Sequence, residues 1–231
     1  MTTVLISGAN RGLGLEFVRQ YAAEGAQIIA GVRRPDQAEV LQAVAQGAGG
    51  RIEVHALDVA DPGSVDSFRM AVGDRPLDIV IANAGVYGVG EQQSLNDLDF
   101  EGWVETFRIN TLGPVRLAQA PAANLKRGAD KKLVAITSLM GSIADSGGGF
   151  YAYRSTKAAL NMAWKSVALE LKGDGVTAVV LHPGWVQTDM GGPSAPVTPE
   201  QSIRGMRQVI AGLTPADTCT FRAFDGRNLP W

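Results

Sequence analysis

The 231-residue sequence contains little cysteine and little histidine. Its single cysteine, Cys219, excludes an intrachain disulfide framework and suits a reducing compartment. The two histidines, His55 and His182, belong to no cluster with the spacing of metal ligands, so we interpret both as structural. The sequence therefore predicts no bound metal.

Long hydrophobic runs and an excess of one charge are also missing. No stretch approaches about 18 consecutive apolar residues, which argues against a transmembrane helix, and the first residues lack the basic region of a signal peptide. Lys and Arg number 21 against 23 Asp and Glu, so the formal net charge of −2 predicts no bulk attraction to nucleic acid or anionic membrane. We expect a cytoplasmic protein whose partner is a small molecule, with no nucleic-acid or membrane partner.

What the sequence does contain is an alternation of short apolar segments and longer amphipathic ones. Nearly continuous apolar strands separated by helices predict a parallel sheet, connected by right-handed crossovers and covered by helices on both faces. The length fits one domain, 1–231, so we predict an α/β fold: a single-domain, doubly wound, Rossmann-like parallel β-sheet. Strands are predicted at 4–7, 27–32, 52–57, 78–82, 133–138, 176–181 and 218–224, and helices at 13–24, 35–46, 62–72, 100–127, 152–172 and 199–211.

A glycine-rich turn follows the first predicted strand and opens a helix. It consists of Ser7-Gly8-Ala9-Asn10-Arg11-Gly12-Leu13-Gly14. Glycines permit a tight turn and close approach of the backbone to a pyrophosphate, whose charge a helix N-terminus favours. The spacing differs from the commoner G-x-G-x-x-G, and a glycine turn alone is also ordinary strand-to-helix chemistry. Its place at the sheet edge where such folds bind ligands favours a dinucleotide site.

The end of the second predicted strand carries positive charge. An acidic residue there would bind the adenosine ribose and repel a 2′-phosphate, but the sequence has Val32 followed by Arg33 and Arg34. Guanidinium groups suit phosphate binding, and Arg11 in the glycine turn is a further candidate. In isolation these arginines would be solvated surface charges. At this strand end they favour NADP(H), with Arg33 as the main contact.

Two further strand ends carry candidate cofactor-binding residues. After the third strand, Asp58 and Val59 follow, and Asp58 either accepts a hydrogen bond from the adenine amino group or caps the turn before Pro62. After the fourth strand, the segment Asn83-Ala84-Gly85 has small residues that let the backbone pass close to a ligand. Asn83 either braces the sheet or lines the cleft, and the two roles are compatible.

The fifth strand and the helix after it supply candidate catalytic residues. Ser138 ends the strand, and Tyr153 and Lys157 are four residues apart, so they share one face of a helix. A nearby ammonium would lower the pKa of the Tyr153 phenol, which is about 10 in isolation. The Ser138 hydroxyl could hold a substrate oxygen beside it. The Tyr-x-x-x-Lys spacing alone is usually structural; its combination with the other motifs favours proton transfer.

Together these residues resemble the short-chain dehydrogenase/reductase family. The resemblance spans nearly the whole chain and includes Gly8, Gly12, Gly14, Asp58, Asn83-Ala84-Gly85, Asn110, Ser138, Tyr153, Lys157 and Pro183-Gly184. It implies a catalytic tetrad of Asn110, Ser138, Tyr153 and Lys157, in which Asn110 holds a helix distortion and a water that relays protons. It also implies cofactor contacts at Pro183, Gly184, Val186 and Thr188. Residues 8–16, 188–193 and 225–231 look most like the C-factor-like, or sniffer-like, carbonyl reductases.

The resemblance implies an NADP(H)-dependent oxidoreductase that reduces aldehydes, ketones or quinones, with Tyr153 as proton donor. The alternative is a nucleotide-binding signalling protein of the same fold with little turnover. A homodimer or homotetramer through the helices at 100–127 and 152–172 is implied, although some related reductases are monomers, and residues 186–198 are expected to form a mobile substrate loop. The candidates for the pocket lining are Tyr87, Leu139, Met140, Phe150, Tyr151, Trp185 and Met190.

Two features depart from the family pattern. Ser7 stands where the family usually has Thr, which keeps a hydroxyl. Ser138 and Tyr153 are 15 positions apart, slightly more than usual, with three glycines at 147–149 between them. We expect this insert to reshape the rim of the active site.

Overall fold

Seven parallel strands form one sheet in the computed structural model, which describes residues 1–88 and 95–231. The strands are β1 (Thr3–Ser7), β2 (Gln27–Val32), β3 (Ile52–Ala56), β4 (Ile79–Ala82), β5 (Lys132–Ile136), β6 (Thr177–His182) and β7 (Phe221–Ala223). Their spatial order is β3-β2-β1-β4-β5-β6-β7, so the chain reverses direction across the sheet between β1 and β4. The predicted doubly wound parallel sheet is confirmed.

Helices connect the strands and cover both faces. In the described part of the chain they are α1 (Gly12–Ala23), α2 (Glu39–Gly47), α3 (Pro62–Val72), α4 (Phe100–Phe107), α5 (Gly113–Gln119), α6 (Ala122–Arg127), α7 (Tyr151–Leu171) and α8 (Pro199–Gly212). Short 3₁₀ turns occur at Pro35–Gln37, Leu139–Gly141, Lys172–Asp174 and Pro215–Asp217. The helix predicted at 35–46 therefore begins later, after its own 3₁₀ turn.

The core lies in two layers because side chains alternate across each strand. In β1, Ile6 belongs to the layer that contains Phe17 of α1, whereas its neighbour Leu5 belongs to the layer that contains Trp164 of α7. All four side chains are buried. This alternation within apolar strands is the physical basis of the helix-on-both-faces arrangement.

The helix predicted at 100–127 is present but divided into three α-helical segments. A π-helical turn, Arg108–Leu112, separates α4 from α5, and α6 begins only after Pro121. Proline has no N–H, so Pro114 cannot donate the α-helical hydrogen bond to the carbonyl of Asn110, and Pro121 likewise cannot continue the ladder. The widened turn places Asn110 toward the end of the sheet.

Candidate active site

The glycine turn between β1 and α1 requires its glycines at particular positions. Gly8 and Gly12 have φ of 67° and 52°, in the left-handed region. A Cβ on Gly14 would lie 2.1 Å from the carbonyl oxygen of Gly8, so the helix packs directly on the turn. Arg11 is the residue directly before α1, and its side chain has no acceptor atom. No side chain at this position therefore caps the first N–H groups of the helix. The turn and the helix N-terminus thus form a cradle of the kind that binds anions in other proteins.

Ser7 and Asn83 join this turn by hydrogen bonds to the segment that follows β4. The buried Ser7 Oγ accepts hydrogen bonds from the backbone N–H groups of Asn83 and Ala84, each at 3.1 Å. The Asn83 side-chain amide donates to the carbonyls of Ser7 at 3.0 Å and Gly8 at 3.2 Å. Of the two compatible roles for Asn83, the structure shows bracing. The hydroxyl at position 7 is also committed to bracing, which explains why Ser serves where Thr is usual.

The end of β2 presents an exposed cation. Arg34 donates to the side chain of Gln37 at 3.2 Å. Arg33 is exposed, and its guanidinium makes no hydrogen bond or ion pair with residues 1–88 or 95–231. Val32 is only 2% exposed and packs in the core. Arg33 is therefore the arginine here with a guanidinium available to a ligand.

Asp58 caps the turn that follows β3. Its Oδ1 accepts the backbone N–H of Ala60 at 2.9 Å, and its own N–H donates to Ser64 Oγ at 2.8 Å. The capping alternative is confirmed, and the adenine contact stays a prediction for the other carboxylate oxygen. Val59 is buried beside Gly113, so only its backbone could meet a ligand.

The segment 186–198 lies against the glycine turn. Arg11 Nη1 and Asp189 Oδ2 form an ion pair at 2.5 Å, with the side chains 65% and 78% exposed. A Cβ on Gly12 would lie 3.6 Å from the Thr188 methyl. The segment is tied together by the bridge between Val186 and Val197. It starts after Pro183-Gly184, where the Pro183 carbonyl accepts the Ser202 hydroxyl at 2.6 Å.

Ser138, Tyr153 and Lys157 meet at the end of β5. The Ser138 and Tyr153 side chains are hydrogen-bonded. Lys157 Nζ donates to the carbonyl of Ile136 at 2.9 Å and lies 5.8 Å from the centre of the Tyr153 ring. All three side chains are buried. The α7 helix thus presents the phenol and the ammonium to the strand end that carries Ser138.

Burial governs the ionisation of both groups. It raises the pKa of Tyr153 to about 12, with the Ser138 hydrogen bond acting in the opposite direction. It lowers the pKa of Lys157 to about 8. Desolvation of the phenolate is thus the largest influence on Tyr153 in the protein by itself. That Lys157 lowers this pKa stays a prediction.

Asn110 lies in the π-helical turn and is fully buried. Its amide pairs with the backbone of Val86, accepting from the N–H at 2.9 Å and donating to the carbonyl at 2.8 Å, and it also donates to Thr156 Oγ1 at 3.2 Å. A Cβ on Gly85 would lie 3.3 Å from Asn110 Oδ1 and 3.6 Å from Lys157 Nζ. The helix distortion implied for Asn110 is present. The proton-relaying water stays a prediction.

Aromatic side chains surround Tyr153. The Tyr87 ring lies 4.8 Å from the Tyr153 ring and 5.7 Å from the Phe150 ring. Phe150 has a left-handed backbone, with φ of 49°, directly before α7. Trp185, directly before the segment 186–198, and Met190 within that segment are both exposed. Tyr87 and Phe150, both predicted to line the pocket, are thus placed at the candidate proton donor.

Sequence reasoning missed residues that act at a distance along the chain. Thr156 links Asn110 to α7, and Asp189 pairs with Arg11. Thr156 lies inside the Tyr-x-x-x-Lys spacing, but no local pattern indicates its partner 46 positions away. Within residues 1–88 and 95–231, no group of three or more acidic, cysteine or histidine residues could hold a metal, and no helix is long and apolar enough to span a membrane.

Comparison with known proteins is consistent with this geometry. Residues 2–197 match the sequence model of a family described as short chain dehydrogenase. The C-signal protein of Myxococcus xanthus is 45% identical over 166 residues, which cover 71% of this chain and 99% of that protein. The carbonyl reductase Sniffer of D. melanogaster superposes with a TM-score of 0.90 at 30% identity, covering 100% of both chains. The NADPH-bound carbonyl reductase from chicken fatty liver superposes with a TM-score of 0.93 at 31% identity, covering 100% of this chain and 99% of that one.

Proposed function

This chain belongs to the short-chain dehydrogenase family, whose members are oxidoreductases, and we propose that it is an NADP(H)-dependent reductase of aldehydes, ketones or quinones. The family resemblance inferred from the motifs is confirmed. The observation that carries the proposal is the convergence of Ser138, Tyr153 and Lys157 at the carboxyl end of β5. That edge is where doubly wound sheets bind their ligands.

The described residues fit NADP(H). The cradle of Gly8, Gly12 and Gly14 admits a pyrophosphate because any side chain there would collide with backbone or force a strained turn. Arg33 offers an unpaired guanidinium where the 2′-phosphate would lie. The bound cofactor supplies the hydride. NADPH in the chicken liver reductase and the similarity of the two folds support this assignment.

Tyr153 acts as the proton donor in the proposed reduction. With a pKa of about 12 it is fully protonated near neutral pH, which is the form that a reductase needs. Its hydroxyl and that of Ser138 hold the substrate carbonyl oxygen, and Tyr153 gives its proton to the oxygen as negative charge develops there. The Ser138 hydrogen bond and the Lys157 ammonium then stabilise the phenolate. Asn110 anchors α7 and the π-helical turn beneath them.

The partners that we propose are a small carbonyl or alcohol compound and further copies of this chain. A homodimer or homotetramer would cover apolar side chains that α4 and α7 expose. These are Phe100, Val104, Met162 and Leu169. Where such side chains form one contiguous patch, they mark a protein–protein interface.

A signalling protein with little turnover is the second candidate. It is favoured by the 45% identity with the protein named C-signal. It would bind the same nucleotide but leave the buried Ser138–Tyr153–Lys157 group without a reaction. Because fold does not fix function, activity has to separate the two candidates.

The experiment is a panel of aldehydes, ketones, quinones and dicarbonyls with NADPH, followed by the loss of cofactor absorbance. Consumption of NADPH that depends on substrate and yields the alcohol supports the reductase. Tight NADPH binding without turnover on any member supports the second candidate. A protein that binds neither NADPH nor NADH would contradict both.

The charge of Lys157 predicts a pH dependence. The kcat/KM for carbonyl reduction should fall as pH rises through about 8, because Lys157 loses its proton there, whereas Tyr153 stays protonated to about 12. A pH profile from about pH 6 to about pH 10 measures this fall. In Lys157→Arg, whose guanidinium keeps its charge, any remaining activity should not fall over this range. A flat profile for the unaltered protein would show that the ammonium is not required.

The Arg11–Asp189 ion pair predicts how the segment 186–198 responds to cofactor. Asp189→Asn should release the segment, so its amides exchange hydrogen faster in the free protein, and NADPH affinity should rise by up to about fivefold as Arg11 becomes available to phosphate. The effect is small because both side chains are largely exposed. Asp74→Asn, at the exposed Arg127–Asp74 pair, is the matched control. Slow exchange at 186–198 that neither the substitution nor the cofactor alters would contradict a mobile loop.

A further inference from the structure

A buried asparagine on α7 forms hydrogen bonds with the chain on both sides of Ser138. Asn161 is 3% exposed, and its Oδ1 accepts the hydroxyl of Thr137 at 2.7 Å. Its Nδ2 donates to the carbonyl of Gly141 at 3.3 Å. Thr137 immediately precedes Ser138 and Gly141 ends the 3₁₀ turn that follows it. One side chain therefore bridges the strand end and the turn.

The turn between these two contacts sets the direction of the Ser138 hydroxyl. Ser138 Oγ accepts the N–H of Met140 at 3.1 Å, and the Ser138 carbonyl accepts the N–H of Gly141 at 2.9 Å. The turn also packs directly on α7, because a Cβ on Gly141 would lie 2.8 Å from the Lys157 backbone. A shift of the turn therefore moves the Ser138 hydroxyl relative to Tyr153.

Asn161 stands one helical turn beyond Lys157, on the same face of α7. Lys157 bonds the carbonyl of Ile136, and Asn161 bonds the side chain of Thr137 and the carbonyl of Gly141. The helix that carries the phenol thus fixes the segment that carries the serine through two successive turns. An apolar side chain at 161 would leave the Thr137 hydroxyl without this acceptor and the Gly141 carbonyl without this donor.

We infer that Asn161, with Thr137, is a positioning residue for the reaction. It holds the Ser138 hydroxyl at hydrogen-bond distance from the Tyr153 hydroxyl. The inference rests on the proposed reductase function. Asn161 does not touch the substrate or the cofactor in this role. It acts by keeping two reacting groups from different elements at hydrogen-bond distance, and displacements of about 1 Å at such groups can cost about 10²-fold in rate.

The test compares Asn161→Ala, Thr137→Val and Thr137→Ser. Asn161→Ala and Thr137→Val should lower kcat about tenfold to hundredfold, with NADPH affinity unchanged, because the cradle at the glycine turn is untouched. Thr137→Ser keeps the hydroxyl and should restore most of the rate. In a Ser138→Ala background, Asn161→Ala should cost little further, since its effect passes through that hydroxyl.

Asn124 provides a matched control. It is 5% exposed, and its amide donates to the carbonyls of Gly73 and Arg75, both at 2.7 Å, before β4 at the opposite edge of the sheet. Asn124→Ala removes a buried bridging amide of the same kind, so it should lower the melting temperature comparably to Asn161→Ala but leave kcat unchanged. Equal losses of kcat in the two variants would overturn the inference.

Hydrogen exchange tests the same contact without any substrate. In Asn161→Ala the amides of residues 139–142 should lose protection, while those of the glycine turn at 8–14 should not. Unchanged protection at 139–142 would overturn the inference. So would a loss of kcat on adding Asn161→Ala to Ser138→Ala that is as large as the loss that Asn161→Ala causes alone. Failure of the unaltered protein to reduce any carbonyl would instead refute the proposed function, and the exchange result would still decide whether Asn161 holds the turn.

Discussion

Replacing Tyr153 by phenylalanine should lower kcat by at least about 10²-fold and leave NADPH affinity largely intact. The substitution removes one hydroxyl that donates the proton and keeps the ring that packs 4.8 Å from Tyr87. The loss should fall on kcat because the proton moves only as the carbonyl is reduced. Steady-state rates together with a direct NADPH titration measure the two effects separately.

A second buried tyrosine serves as the control for this substitution. Tyr21 lies on α1, packed against Phe17 and beneath the guanidinium of Arg207, and it is not part of the Ser138–Tyr153–Lys157 group. Tyr21→Phe should affect only the stability of the fold, so kcat should stay within about twofold of its original value. If Tyr153→Phe retained near-full turnover, Tyr153 would not be the proton donor. Lys157→Ala should lower both kcat and cofactor affinity, since the family resemblance implies that the lysine binds the nicotinamide ribose as well as stabilising the Tyr153 phenolate.

Replacing Arg33 by alanine should weaken NADPH binding by about one to two orders of magnitude and leave NADH binding nearly unchanged. The two cofactors differ by a 2′-phosphate, and one charge-assisted hydrogen bond from Arg33 contributes about 1.5–3 kcal/mol, which corresponds to about tenfold to somewhat over a hundredfold in affinity. Arg33 is exposed and has no partner within residues 1–88 and 95–231 to compete with the phosphate. Direct titration of both cofactors at moderate salt measures the preference.

A variant that reverses the preference for NADPH over NADH has to place its new carboxylate outside the buried core. A carboxylate at position 32 would repel the phosphate, but Val32 is 2% exposed, so a charge there would be buried without a partner. Arg33→Asp places the carboxylate in solvent and should tip the preference toward NADH. Arg204→Ala, an exposed arginine on α8, is the control and should change neither affinity. Equal affinities of the unaltered protein for NADPH and NADH would show that Arg33 does not bind the 2′-phosphate.

The sequence by itself determined the alternation of strands and helices along the chain, the parallel sheet and the family. These follow from local signals: apolar runs of strand length, glycines at the first turn, and Tyr153 four residues before Lys157. Such patterns depend on neighbours within one element, so they survive without knowledge of the fold. Within the helix predicted at 100–127, the family resemblance implied a distortion at Asn110, whereas the division before α6 at Pro121 was not predicted.

Only the tertiary structure decided how the site residues work. Arg11 and Asp189 are 178 positions apart and Thr137 and Asn161 are 24 apart, so no sequence spacing indicates that they meet. The pKa values of Tyr153 and Lys157 depend on desolvation, which exists only once the helices and sheet close around the two groups. Residue types near a strand end thus predicted the kind of chemistry. The protonation states and the bracing by Ser7 and Asn83 instead arise from packing between distant segments.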